Sequence, residues 1–231
     1  MSKLTYIDIF AGAGGLSEGF LKNGFNAIAH IEMNEDACFT LKTRLCYYYL
    51  KEQNKLIDYY RYLGGEISRN ELYNIVPASL LDTVINEKLS DESMDYIFSR
   101  IDRIMNQKGI EKVDLVVGGP PCQAYSLAGR ARKAKENKMI GDPRNFLYKL
   151  YCQVLLKYKP RMFVFENVPG VLTANKGLYF EDMQKEFRLA GYNLDYKILN
   201  ASDFGVLQNR HRVILIGWQN SLNYKYPEFS A

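Results

Sequence analysis

The sequence predicts an α/β protein: a doubly wound, mostly parallel sheet with an antiparallel strand near its end. Three observations predict it. Short apolar runs alternate with stretches of helical periodicity along the whole chain. Those runs are apolar at nearly every position, as strands buried on both faces are. The first run ends in Ala11-Gly12-Ala13-Gly14-Gly15 and passes directly into a helical pattern, an order of elements that places ligands beyond the carboxyl ends of the strands.

Thr5 to Phe10 is rich in β-branched and aromatic residues and reads as the first strand, with a helix over Leu16 to Asn23 stopped by Gly24. Ala27 to Glu32 is a second strand, and Asn34 opens a helix from about Glu35 to Leu50. Residues from about Leu45 to Ser90 lack strand punctuation and read as a mainly helical insertion, whose tyrosines (47, 48, 49, 59, 60, 62 and 73) are explained most simply by helix packing. Thr83 to Asn86 is a short strand, and Met94, Ile97, Phe98, Ile101, Ile104 and Met105 recur at helical spacing. Val113 to Val117 is a fully buried strand. Leu147, Leu150, Tyr151, Val154 and Tyr158 share a helix face, and Met162 to Phe165 is the next strand. A helix over Leu178 to Ala190, ended by Gly191, precedes two closely spaced strands, Leu194 to Leu199 and Val213 to Gly217, that pair antiparallel. Residues 1–218 form one main domain on this reading.

Composition narrows the functional classes. With 47% hydrophobic and 24% charged residues the 231-residue chain is of ordinary globular make-up, and no apolar run reaches the roughly 18 residues of a bilayer span. The amino terminus lacks the pattern of a secretion signal, so a cytoplasmic protein is expected. Four cysteines, at 38, 46, 122 and 152, form no C-x-x-C pair, and two histidines add little, so neither a disulfide framework nor a metal site is expected. A net charge of +4 does not diagnose a nucleic-acid partner, but Arg130 to Lys138 carries five positive charges against one negative.

Several segments carry chemistry. The glycine loop lets backbone approach a ligand at a helix amino terminus, and it departs from the G-x-G-x-x-G spacing of dinucleotide sites. Glu32 ends the second strand about 20 residues after the loop, where a carboxylate can accept hydrogen bonds from ribose hydroxyls. Together they point to a nucleoside-bearing cofactor. Gly118-Gly119-Pro120-Pro121-Cys122-Gln123 stiffens the backbone at a strand end and then presents one cysteine, a platform suited to a nucleophile. Phe163-Val164-Phe165-Glu166-Asn167-Val168 places a carboxylate at the end of a buried strand. Gln208-Asn209-Arg210-His211-Arg212 brings two arginines of alternating direction into another, one able to face a site while the other braces it.

Five motifs in order, D-I-F-A-G-A-G-G, I-E-M-N, G-G-P-P-C-Q-A-Y-S, F-E-N-V and Q-N-R-H-R, resemble the DNA cytosine-C5 methyltransferase family over nearly the whole chain. The resemblance implies the Rossmann-like fold of S-adenosylmethionine-dependent methyltransferases. It places Asp8, Phe10, Ala11, Gly12, Gly14, Gly15, Leu16, Glu32, Met33, Pro121 and Leu147 around S-adenosylmethionine, with Glu32 on the ribose. Cys122, Glu166, Arg210 and Arg212 are catalytic on the same ground, with Asn167 orienting the loop. Gln123, Ser126 and the basic residues Arg130, Arg132 and Lys133 contact double-stranded DNA in this reading, from which the target cytosine is flipped.

Two departures stand out. The family's acidic residue for the adenine follows the third strand, where this chain has Asn86-Glu87; Gly65-Glu66-Ile67 is a rival placement, and Asn86 is preferred. After the arginine motif the family continues through a target-recognition region and a final helix, whereas Trp218 to Ala231 remain here. The expectation is a catalytic portion, inactive or weak by itself, whose recognition region and closing helix belong to a missing segment or a second chain. An RNA cytosine methyltransferase, a catalytically silent subunit and a dinucleotide oxidoreductase are the competing readings.

Overall fold

A computed structural model describes residues 3–121 and 146–229 of the chain. Along it run β1 (Thr5–Ile9), α1 (Gly15–Lys22), β2 (Asn26–Glu32), α2 (Glu35–Glu52), α3 (Leu56–Leu63), α4 (Arg69–Asn74), α5 (Ala78–Leu81), β3 (Val84–Asn86) and α6 (Met94–Lys108). They are followed by β4 (Leu115–Gly118), α7 (Leu147–Tyr158), β5 (Met162–Asn167), α8 (Leu178–Leu189), β6 (Tyr192–Asn200) and β7 (His211–Gln219). The chain divides into two compact units, residues 10–111 with the amino terminus, and residues 4–9 with 112–231.

In the first unit β2 and β3 are parallel, with His30, Ile31 and Glu32 opposite Val84, Ile85 and Asn86. The Asn34 side chain caps α2 by accepting from the Ala37 amide at 2.8 Å. That helix buries Cys38, Leu41 and Leu45 with Ala11 and Val84, and further along packs Cys46 and Leu50 with Ile67, Leu72 and Val76. The second cluster is roofed by Tyr49, Tyr59, Tyr62 and Tyr73. Tyr47 and Tyr59 meet edge to face at 5.2 Å, and the Tyr73 hydroxyl donates to the Phe39 carbonyl at 2.9 Å. Three short helices, α3 to α5, thus lie between α2 and β3, and Tyr49, Tyr59, Tyr62 and Tyr73 serve their packing.

In the second unit β1, β4 and β5 are parallel, while β7 runs antiparallel to both β5 and β6, giving the order β1-β4-β5-β7-β6. The anticipated antiparallel strand is β7, and both final strands extend beyond the expected ranges. An aromatic core of Tyr151, Phe163, Phe165, Phe187 and Tyr192 fills the space under α7 and α8. Gly217 belongs to it, because a β-carbon there would lie 2.0 Å from the Phe163 ring. Gly217→Ala is expected to cost about 3 kcal/mol of stability, the scale of an overpacked core. A denaturant midpoint equal to that of the unsubstituted chain would contradict this packing.

No helix among the described residues is long and apolar enough to cross a membrane.

Candidate active site

Of the residues expected to hold a cofactor, those of the glycine loop are organised around Glu32. The first strand stops one residue earlier than expected because Phe10 adopts a left-handed backbone with φ 59°. A bulky residue there is an outlier, and such strain collects at functional loops. The loop then turns tightly: the Gly14 amide donates to the Ala11 carbonyl at 2.9 Å, and the Ala11 amide to Ile31 at 3.1 Å. Gly14 has φ 82° and a β-carbon on it would sit 2.7 Å from Leu41 Cδ2, so conformation and space both require glycine. Gly15 and Leu16 then open α1, whose amino terminus has no side-chain cap.

Glu32 closes the loop. Its Oε2 accepts from the Gly12 amide and its Oε1 from the Asn34 amide, both at 2.8 Å. Two carboxylate oxygens offer about four acceptor positions, so acceptor capacity remains for ribose hydroxyls. Met33 beside it is 64% exposed, an apolar surface suited to a purine face. Asn86 ends β3 opposite Glu32 and donates through Nδ2 to the carbonyls of Glu32 and Met33, at 3.0 and 3.2 Å. The rival Glu66 lies between α3 and α4, ion-paired with Arg61 at 3.4 Å. Geometry thus places Asn86, and not Glu66, with Glu32. Gly14→Ala is expected to weaken binding of S-adenosylhomocysteine by about 10-fold or more, as one strained position and one clash together cost 1–3 kcal/mol or so. Calorimetric titration showing unchanged affinity would contradict it.

The second unit holds the candidate catalytic groups. Glu166 and Asn167 end β5, and Arg212 enters β7. In the antiparallel register Glu166 faces Ile214, so Arg212, two residues before, lies diagonally on the same face. Its Nε meets Glu166 Oε1 at 2.5 Å, and Nη1 donates to the His211 carbonyl at 2.7 Å. Both side chains are partly buried, at 19% and 28% exposure. The other oxygen, Oε2, would be 2.6 Å from a β-carbon on Gly119. Glu166 is therefore fixed by Arg212 on one side and lies against Gly119 on the other.

Arg210 is exposed, and its backbone is what is held: the amide donates to Asn200 Oδ1 at 2.9 Å, and the carbonyl accepts from Ala201 at 3.0 Å. Of the two arginines, Arg212 is the one brought to the carboxylate. Asn167 is buried; its Oδ1 accepts from the Val168 amide at 2.8 Å, while Nδ2 has no hydrogen-bond partner among the described residues. Asp8 is buried in β1, and Leu147 is half-buried in the first turn of α7. Tyr151 donates its hydroxyl to the carbonyls of Val116 and Val164 at 3.0 Å, and burial, with Asp8 second, raises its pKa well above the usual range.

Cys122, Gln123, Ser126, Arg130, Arg132 and Lys133 lie outside the described residues. The other three cysteines are buried. Burial pushes the Cys38 thiol up, that of Cys46 to about 11 and that of Cys152 to about 12. None of these three supplies a thiolate near neutral pH. Among the described residues no group of three or more histidine, cysteine or acidic side chains is placed to hold a metal ion.

Sequence reasoning missed the left-handed Phe10, the Asn86 bonds to the Glu32–Met33 turn, and the approach of Gly119 to Glu166. The adjacent glycines of the G-G-P-P motif were the available signal for the last of these.

Comparison with known proteins gives the family and the fold. A family model described as C-5 cytosine-specific DNA methylase matches residues 4–59 and 66–231. The chain is 40% identical to the Type II methyltransferase M.Bpa9945I of Bacillus paralicheniformis, over 98% of this chain and 56% of that protein. It is 30% identical to the Type II methyltransferase M.BsuRI of Bacillus subtilis, over 97% of this chain and 46% of that one. The chain thus spans about half the length of these curated relatives. The fold resembles a putative DNA modification methyltransferase encoded within an E. coli prophage, with a TM-score of 0.60 and 23% identity over 97% of this chain and 49% of that one. It also resembles the S. pombe Dnmt2 methyltransferase, with a TM-score of 0.54 and 19% identity over 99% and 52%. These solved structures share the mostly parallel, Rossmann-like α/β fold. The matched motifs, the fold and the relatives together establish that the chain belongs to the C-5 cytosine-specific DNA methylase family, with bacterial Type II modification enzymes among its relatives.

Proposed function

We propose that this chain carries the catalytic machinery that transfers a methyl group from S-adenosylmethionine to C5 of cytosine in DNA, through a covalent adduct at Cys122. The observation that carries the proposal is the setting of Glu166, held by Arg212 on one oxygen and lying against Gly119, three residues before Cys122 in the sequence.

The cofactor-side residues fit S-adenosylmethionine. Glu32 would take the ribose hydroxyls, Met33 the adenine face, Asn86 the adenine edge through its Oδ1, and the uncapped start of α1 the methionine carboxylate. Asp8, Phe10, Ala11, Gly12, Gly14, Gly15, Leu16, Pro121 and Leu147 complete the assignment by resemblance. When bound, the cofactor supplies an electrophilic methyl group.

Cytosine C5 is a weak nucleophile, and addition of the Cys122 thiolate to C6 gives the ring enamine character at C5. Glu166 holds or delivers the proton at N3, which draws charge out of the ring as the carbon–sulfur bond forms. Arg212 orients Glu166 and brings positive charge toward the O2 oxygen. Asn167, with an unpartnered buried amide among the described residues, orients the cysteine loop. Once C5 has gained the methyl group, with S-adenosylhomocysteine as the leaving product, loss of the C5 proton to a base and return of the N3 proton to Glu166 restore the ring and break the carbon–sulfur bond, regenerating the Cys122 thiolate.

Because the target atoms lie within the base stack, the cytosine must be flipped out of double-stranded DNA. Arg130, Arg132 and Lys133 are assigned to phosphates, and Gln123 and Ser126 to the DNA beside the flipped base. Incubation of the full-length protein with labelled S-adenosylmethionine and either unmethylated DNA or tRNA tests the reading. Label at C5 of DNA cytosines is expected; label in tRNA alone would assign the chemistry to RNA, and label in neither would overturn the proposal.

A further inference from the structure

We propose that Arg44, together with Glu18 and Tyr48, is a positioning device for the cofactor loop; the inference rests on the reading of that loop as the S-adenosylmethionine site. Glu18 lies in the first turn of α1, and its amide donates to the Gly14 carbonyl at 3.1 Å. Three side chains converge on its carboxylate: the Arg44 guanidinium, the Tyr48 hydroxyl at 2.6 Å and the Lys22 ammonium at 3.2 Å. Burial pushes the Glu18 carboxyl up, but the hydrogen bonds from Tyr48, Arg44 and Lys22 outweigh it and leave it below its ordinary value.

Leu41, Arg44 and Tyr48 share one face of α2 at helical spacing. The same face underlies the loop: a β-carbon on Gly14 would meet Leu41 Cδ2 at 2.7 Å, Arg44 Nε at 3.5 Å and Arg44 Cδ at 3.7 Å. Arg44 thus passes beneath Gly14 and grips the helix that begins there.

The start of α2 is tied to the other end of the loop, since Glu32 holds the Gly12 amide with one oxygen and the Asn34 amide with the other. Gly12 and the helix following Gly14 are therefore both referenced to α2, through Glu32 at its start and Arg44 at its middle. Releasing the second tie leaves the loop free to shift against Glu32, the residue assigned to the ribose. A purely stabilising role explains the arrangement less well, because Arg44 Nε is buried without a hydrogen-bond partner among the described residues, a costly way to fill the space.

The test uses the full-length protein. Arg44→Met is expected to raise the dissociation constant for S-adenosylhomocysteine by about 10-fold, the loss of roughly one charge-assisted hydrogen bond, with kcat at saturating cofactor changed by less than about 2-fold. Arg44→Lys should restore part of the affinity, and Tyr48→Phe should cost about 3-fold on the same scale. Arg61→Ala removes an arginine from exposed ion pairs with Asp58 and Glu66 in the same unit and should leave the affinity unchanged. Unaltered affinity in both Arg44→Met and Tyr48→Phe would overturn the inference, as would an equal loss in Arg61→Ala. Failure of the unsubstituted protein to bind S-adenosylhomocysteine would instead overturn the assignment of the site. If Arg44→Met does not fold, Tyr48→Phe, which removes one hydroxyl, decides the question alone.

Discussion

Replacing Cys122 with serine is expected to lower methyl transfer by about 10⁴-fold or more, the scale on which loss of a covalent nucleophile acts. Affinity for S-adenosylhomocysteine should stay nearly unchanged, because the thiolate acts on the cytosine ring and not on the donor. The remaining cysteines offer no substitute: burial holds the thiols of Cys46 and Cys152 at about 11 and 12, and pushes that of Cys38 upward as well. Methyl transfer to DNA should be followed with cofactor binding measured in parallel on the full-length protein. Retained turnover in Cys122→Ser would remove the covalent mechanism, and a matching loss of cofactor affinity would make the cysteine a structural residue.

Glu166→Gln is expected to reduce turnover by roughly 10²-fold, the usual contribution of a positioned acid or base. The substitution preserves shape but removes the charge that Arg212 holds at 2.5 Å and the proton-carrying capacity assigned to the ring nitrogen. Cofactor affinity should change much less, since the ribose is assigned to Glu32 and the proton at the cytosine ring to Glu166. Single-turnover measurements with saturating cofactor isolate the effect. Equal turnover for Gln and Glu would reduce the residue to a partner of Arg212 and would leave proton delivery to another group.

Much of this was legible from the amino acids, and where it was not the reason is physical. The order of strands and helices followed from apolar runs and helical periodicity, because strands buried on both faces leave little room for polar residues. Asn34 announced α2 by cap chemistry that is local in sequence. Ser68 and Glu71 form a capping box that marks α4, with mutual bonds of 2.7 and 3.3 Å. That signal was present in the Leu45–Ser90 stretch and was not read. Helix α3 has no fully buried residue, so its apolar side chains do not stand out as a core segment.

The site residues were legible as motifs, but their couplings were not. The pairing of Arg212 with Glu166 depends on antiparallel register between β5 and β7, and the grip of Arg44 on Glu18 joins residues 26 apart in sequence. The left-handed Phe10 carries no local signature, since glycine would be the ordinary choice at that φ.

The most direct test of the central claim is covalent trapping. DNA copied with 5-fluorodeoxycytidine in place of deoxycytidine, incubated with the full-length protein and S-adenosylmethionine, should give a stable protein–DNA adduct, because fluorine at C5 cannot leave as a proton does. Digestion and mass spectrometry are expected to locate the modified base on Cys122. An adduct on Cys38, Cys46 or Cys152, or methyl transfer to ordinary DNA with no adduct formed on the fluorinated DNA, would contradict the account.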